Sequence, residues 1–440
     1  MRKAATLRIH PPADLTQVAL AACLALASAG ALAQQETTLN TVTVTDTAGT
    51  SLKTDTAPSS KFTAPLIDTP KTVQVINEEV IRQTGSTSLA EALRTSPGIT
   101  FGAGEGGNPV GDRPFLRGSD AQGSIFVDGM RDIAARSREV YNIESIEVIK
   151  GADSAYAGRG GAGGSINIVT KRAKAENFLL GDVGLGTDGY KRATLDLNRV
   201  VGSGIGLRLN AMAHDADVPG RDGPSNKRWG IAPTITFGMG TATELSLAWQ
   251  HLQTSNMPDG GVPYLYSNAA MAGLRGGTRV TPTYGDSRDN WYGLTSRDYE
   301  RERSDLLTAS IEHKFSQTNK FRNSLRWSKS EQDYLWTQPD DSKGNAIKGY
   351  VWRRGNYRVS DVKTLQNLSE FTGKALTGAL EHSFAVGLEL SQEKSNVRSA
   401  AIQDASTSNC TRVTMWCASL DNPDSATPWT YAWTPPTAVT

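Results

Sequence analysis

The sequence predicts an exported chain in which a small α+β unit precedes an incomplete antiparallel transmembrane β-barrel. Three observations predict it: a cleavable leader, Gly-punctuated helix and strand signals over residues 61–172, and strict two-residue alternation over residues 173–440. Composition removes the competitors. The 440 residues carry 46 Lys+Arg against 45 Asp+Glu, a formal net charge of +1, which argues against nucleic acid as a partner. Periodic Leu, Ile, Val and Phe throughout the second half exclude disorder. Beyond the N-terminus no apolar run reaches roughly 18 residues, so a helical polytopic membrane protein is excluded too.

Residues 1–33 read as a signal peptide. Arg2, Lys3 and Arg8 form a basic start, residues 18–29 are apolar, and Ala31-Leu32-Ala33 places cleavage before Gln34. Leu20-Ala21-Ala22-Cys23 has the form of a lipoprotein site, but the apolar run continues past Cys23. The exported chain keeps Cys410 and Cys417 in a compartment that permits disulfides, so a local bridge is the default reading. The five His residues are scattered, and no Cys/His cluster suggests a metal site.

Residues 34–60 are rich in Thr, Ser, Ala and Asp and read as a mobile tail. Within it Thr41, Val42, Thr43, Val44 and Thr45 alternate, and could add as a strand to a partner's sheet edge. From Lys61 the pattern changes. A strand is expected at 71–76, a helix capped by Asn77 at 78–83, and a second helix opened by the capping box Ser88-Leu89-Ala90-Glu91 and ended by Pro97-Gly98. Further strands are expected at 115–117, 124–127, 143–149 and 165–170, between Gly-rich loops at 102–114, 118–123, 129–138 and 151–164. Gly158, Gly160 and Gly163 satisfy G-x-G-x-x-G, but a strand follows where a dinucleotide site needs a helix N-terminus.

From residue 173 the period is two. Leu207, Leu209, Ala211 and Ala213 alternate with Arg208, Asn210, Met212 and His214, and the pattern recurs to residue 390, giving one dry and one wet face. A soluble sandwich also alternates, but three features favour a membrane barrel. The strands are long; Phe237, Trp249, Phe315, Trp327 and Phe384 lie near strand ends as an interfacial girdle; and short turns (202–204, 238–241, 316–319, 377–379) face long loops (254–298, 335–357, 397–440). The loops carry Tyr264, Tyr266, Tyr284, Trp291, Tyr292, Trp336, Tyr350, Trp352, Arg353, Arg354, Tyr357, Trp416, Trp429, Tyr431 and Trp433. Such residues either stack on a flat anionic ligand or pack the loops together.

Several segments resemble the TonB-dependent outer-membrane receptors, and within them the siderophore receptors of catecholate type. They are Thr41 to Thr45 (the TonB box), Thr69-Pro70-Lys71-Thr72-Val73-Gln74-Val75-Ile76, Leu93-Arg94-Thr95-Ser96-Pro97-Gly98-Ile99, Phe115-Leu116-Arg117-Gly118, Ile125-Phe126-Val127-Asp128-Gly129-Met130-Arg131-Asp132, the run 143–156 with Gly158-Arg159, and Gly164-Ser165-Ile166-Asn167-Ile168-Val169-Thr170-Lys171. Together they cover nearly all of residues 40–172 in the family's order.

The resemblance implies a periplasmic tail at 34–60, a plug domain at 61–172 filling the lumen, and the N-terminal part of the barrel at 173–440. The plug's outward loops would then bind the ligand through Glu105, Arg113, Arg131, Arg136 and Arg138. Arg131 stands first, with a salt bridge to Asp128 or Asp132 as its competing role. Arg117 and Arg159 match plug arginines that gate by pairing with barrel glutamates. The implied activity is energy-coupled uptake of a ferric siderophore in the outer membrane of a Gram-negative bacterium. TonB, with ExbB and ExbD, would grip Thr41–Thr45 by strand addition, and outer-membrane lipid would surround the wall. No cofactor is implied, since iron arrives wrapped by its carrier. Neither paired carboxylates nor a nucleophile with its base is present, so an enzyme is not expected.

One departure stands out. Plugged transporters use about 22 strands, and the alternation supplies only about nine. The sequence also stops at Pro435-Pro436-Thr437-Ala438-Val439-Thr440, within a loop, and the expectation is a truncated, non-transporting fragment. Alternative readings are the same architecture for a hydroxamate siderophore, cobalamin or haem, or a passive porin. A signalling receptor would need a folded domain before the tail.

Overall fold

The computed structural model describes residues 52–104, 109–154, 158, 161–263, 288–340, 343–402 and 405–433. The signal peptide, Thr41 to Thr45, Glu105, Arg159, Tyr264, Tyr266 and Tyr284 lie outside the described residues.

The first unit is built on a five-stranded sheet. β1 (Thr72–Asn77) pairs antiparallel with β7 (Ile143–Lys150), β7 with β8 (Gly164–Thr170), and β8 runs parallel to β5 (Ile125–Val127), whose hairpin partner is β6 (Met130–Arg131). A smaller sheet joins β2 (Ile99–Phe101), β3 (Pro114–Leu116) and β4 (Ser119–Asp120). Two short helices complete the unit. In α1 (Glu78–Gln83) the Asn77 side chain accepts from the Val80 amide at 2.9 Å, and in α2 (Leu89–Leu93) Ser88 accepts from the Glu91 amide at 3.3 Å. The cap expected at Ser88 therefore forms, and Glu91 reaches back to accept from the amide of Thr87, one residue before the cap, at 2.6 Å. Leu89, Leu93, Leu116, Ile125, Ile146, Val148 and Ile166 make one apolar core. The strand expected at 115–117 ends one residue early, because Arg117 takes a left-handed φ of 49° and turns the chain.

The second unit is a continuous antiparallel wall: β9 (Phe178–Leu185), β10 (Lys191–Gly202), β11 (Ile205–Asp217), β12 (Ser225–Phe237), β13 (Thr243–Asn256), β14 (Tyr299–Lys314), β15 (Lys320–Asp340), β16 (Tyr350–Thr377) and β17 (Leu380–Ala401). Each strand pairs with the next in sequence, as up-and-down closure requires. Among the described residues the sheet is open, with β9 and β17 as its edges. Outward positions are apolar and exposed (Leu207, Leu247, Leu307, Leu325, Leu365, Leu388), whereas inward ones are polar and buried (Arg208, Asn210, Thr234, Ser246, Ser324, Gln366). Phe237 at the short-turn end and Trp229 stand eight residues apart on β12, about 26 Å of strand, close to the ~25 Å apolar band of outer-membrane barrels.

Two loop expectations need correction. Residues 335–340 and 350–357 belong to β15 and β16, whose ladder continues to Asp340↔Trp352. Residues 417–419, expected in a loop, form β18 (Cys417–Ser419) against Tyr350–Trp352 of β16. The β15–β16 hairpin extends past the apolar band because alternating aromatic and polar residues pair as well in water as in lipid.

Candidate functional site

The plug loops and the wall meet through charged groups. Glu139, 4% exposed, receives both Arg192 guanidinium nitrogens at 3.0 and 2.9 Å and the Arg228 Nε as well. Burial works against its ionisation, but Arg228 and Arg192 outweigh it and hold the carboxyl below its ordinary pKa. On the other side of the plug, Arg326 of β15 donates to the Val127 carbonyl at 2.6 Å and to Asp128 at 2.8 Å. Asp128, at φ 49°, also accepts from the amide and hydroxyl of Thr170. Arg208 and Lys171 share Asp196 at 2.7 and 2.9 Å, and reach Glu144 and Glu78 of the plug. Tyr141 adds a hydrogen bond to the His251 carbonyl at 2.8 Å.

These contacts give the plug a direction. Val110 and Ser137 are fastened to Gln332 and Glu302, toward the long-loop ends of β15 and β14. Lys61 meets Glu370 at 3.6 Å, toward the short-turn end of β16, and the Ser59 amide donates to Glu147 at 2.7 Å. The loops at 109–138 therefore face one mouth and the root of the tail faces the other.

The arginines expected to bind ligand divide into two groups. Arg136 and Arg138 are 4% and 3% exposed: Arg136 pairs with Asp132 at 2.8 Å, and Arg138 bridges Asp132 and Asp112 at 3.0 and 3.3 Å. Both guanidiniums are spent inside the plug, so neither meets the expectation of a ligand-facing charge. Despite burial, the two cations keep Asp132 far below the usual carboxylate range. Arg113 is partly buried, paired with Asp120 at 2.9 Å and set 5.2 Å from the centre of the Phe115 ring. Arg131 pairs with neither Asp128 nor Asp132. Its Nε donates to the Gly123 carbonyl at 2.8 Å, and among the described residues no carboxylate meets it. Arg117 is exposed, 3.5 Å from the Thr72 hydroxyl, and likewise meets no carboxylate among the described residues.

Nothing in the sequence singles out the wall arginines Arg192, Arg228 and Arg326, or marks Arg208 as more than a wet-face residue. Their signal is position alone: each lies on the wet parity of an amphipathic strand, where a lumen filled by water has little need of a buried guanidinium.

At the long-loop end most aromatic residues pack the loops. Trp291, Tyr292, Trp352 and Trp416 are buried, and Trp416 meets Trp429 at 4.6 Å. Cys410 and Cys417 form a disulfide within this cap. Arg353 is fully buried and donates to the carbonyls of Tyr292, Thr414 and Asp424. Arg353→Met is expected to leave those three oxygens without their donor and loosen the cap by about 2–3 kcal/mol. Hydrogen exchange should then rise at 405–433, while the plug amides stay protected.

Comparison with known proteins agrees with this architecture. Residues 65–165 match the TonB-dependent receptor plug domain. A probable TonB-dependent siderophore receptor of Acinetobacter baumannii, PiuA, is 42% identical over 92% of this chain and 55% of its own length. The catecholate siderophore receptor Fiu of Escherichia coli is 36% identical over 76% of this chain and 45% of its own length. The crystal structure of PiuA superposes with a TM-score of 0.80 at 41% identity, covering 86% of this chain and 54% of that one. The closed form of Fiu does so with a TM-score of 0.75 at 32% identity, covering 87% and 53%. The chain thus spans about half the length of the relatives it matches. With a plug of that family seated by ion pairs against the wet face of an antiparallel wall, the chain belongs to the TonB-dependent receptors.

Proposed function

We propose that the chain supplies the plug and the first part of the wall of an outer-membrane receptor that imports a ferric siderophore of catecholate type into a Gram-negative cell. The observation that carries this reading is the polarity of the plug. Its arginine-bearing loops stand toward the long-loop mouth, and the segment leading back to Thr41–Thr45 leaves at the opposite end. A pore for passive diffusion has no use for a stopper so oriented. The work is transport, not catalysis, and iron is cargo inside its carrier.

Arg131 and Arg113 are the proposed ligand contacts from the plug, because a guanidinium held on a low-dielectric wall attracts a strongly anionic ferric catecholate. Arg136 and Arg138 act by shaping the loop beneath. TonB, energised through ExbB and ExbD, would pair with Thr41, Val42, Thr43, Val44 and Thr45 and pull on residues 34–60. Lipid tolerates no bare strand edge, so import belongs to a wall in which β9 and β17 are both paired.

The test is uptake of radiolabelled iron by cells carrying these residues within a closed receptor, using a panel of carriers. Deleting Thr41–Thr45 should abolish uptake, and Arg131→Ala should weaken ferric-catecholate binding roughly tenfold, as expected for one charged hydrogen bond. Uptake that survives the deletion would establish the porin. Preference for a hydroxamate, cobalamin or haem would reassign the ligand while leaving the architecture intact.

A further inference from the structure

Near the short-turn ends of β14, β15 and β16 residues of the plug and wall line a half-open cavity of about 320 Å³. Its lining includes four cations, Arg172, Lys174, Lys320 and Arg322, and four carboxylates, Asp128, Glu144, Glu312 and Glu370. The balance is only apparent. Lys174 pairs with Glu144 at 2.9 Å and Lys320 with Glu312 at 3.6 Å. Asp128 is held by Arg326 at 2.8 Å, and Glu370 by Lys61 at 3.6 Å. Every carboxylate is taken, and two arginines are left over.

Neither Arg172 nor Arg322 forms an ion pair among the described residues. Arg322 Nε reaches the Ser310 hydroxyl at 3.4 Å, but its buried Nη2 has no acceptor there. Burial, and then the charge of Arg322, push the pKa of Arg172 down. Asp128 and Glu312 offset this only in part, so two like charges set against one polar cavity favour a further anion between them. Ser59 and Ser60 add hydroxyls to the same lining.

We propose that this cavity binds a small oxyanion of the phosphate class, held between Arg172 and Arg322. The planar guanidinium fork matches tetrahedral oxyanions in pairs of hydrogen bonds, and two leftover positive charges match a dianion. The bound anion joins the segment after β8 to β15 of the wall. Because residues 58–60 form part of the lining, occupancy also fastens the root of the tail.

The test is isothermal titration of the 440-residue chain, folded in detergent micelles, with inorganic phosphate at constant ionic strength, and with glycerol phosphate as the monoester arm. Saturable binding is expected, weakened roughly 10- to 100-fold by Arg172→Gln or Arg322→Gln. Lys320→Gln removes a lining cation that already has its carboxylate and should change affinity little. Near-UV circular dichroism identifies any variant that misfolds, and Arg322→Lys, which keeps charge and stem but loses the fork, should bind more weakly than wild type while folded. Tighter binding of glycerol phosphate than of phosphate would identify a phosphomonoester as the natural occupant. Titration heats matched by sodium chloride, binding unaffected by loss of either arginine, or an equal loss in Lys320→Gln would each overturn the site.

Discussion

Glu139→Ala is expected to cost about 3–5 kcal/mol and to loosen the plug from strands β10 and β12, because it strands two guanidiniums in a water-poor interface. Arg192 and Arg228 both converge on this one carboxylate, and Tyr141 and Asn142, which touch the wall next to it, depend on the same segment. Glu139→Gln keeps the shape and one acceptor and should cost less, though the charge is lost. The readout is urea unfolding in micelles, with protease cleavage of residues 134–142 reporting the freed segment. Unchanged stability in Glu139→Ala would show that the contact is decorative.

The same residue sets a pH dependence. Its folded-state pKa lies below its unfolded value, so the unfolded chain binds the proton more readily. The stabilisation is therefore complete above the ordinary glutamate value of about 4.3 and is lost as pH falls through the depressed folded value. Wild type should lose stability steeply across that acidic window. Glu139→Gln should follow a flatter curve there and meet wild type at the acidic end.

Gly163→Ala is expected to prevent the plug from folding, with a cost of more than about 3 kcal/mol. A Cβ at Gly163 would run into the carbonyl oxygen of Leu116, and one at Gly164, at φ 129°, into that of Ile149. Neither obstacle is the end of a flexible side chain; both are strand backbone. Gly158 belongs to the same G-x-G-x-x-G string, yet at φ 68° it has open space around its Cβ position. Gly158→Ala should therefore cost only about 1–2 kcal/mol, the ordinary left-handed penalty. Circular dichroism and proteolysis of the two variants side by side would separate the effects. Equal tolerance of both substitutions would refute the close approach of β8 to β3. This explains a motif that imitates nucleotide binding: Gly163 and Gly164 let strands pack.

The local devices were legible because each is written within a few residues. The caps at Asn77 and Ser88 and the alternation of Leu207 through Ala213 depend on neighbours at spacings of one to four. The ladder past the apolar band is not legible as strand, since Trp336 and Trp352 carry the composition of a binding loop and only their pairing shows them as strand. Arg136 and Arg138 hide their ion pairs in the same way. Charge can be counted along a chain, but the partner that neutralises it cannot.

The sequence by itself determined the order of parts, the wet and dry faces of the wall, and the identity of the family to which the plug belongs. Tertiary structure alone decided which charges are free. Asp128 chose Arg326, 198 positions away, over its neighbour Arg131, and Glu139 chose Arg192 and Arg228 over any residue of its own loop. Periodicity is a short-range property enforced by backbone geometry at every residue. A buried ion pair is set by desolvation, which exists only after distant surfaces have closed on one another.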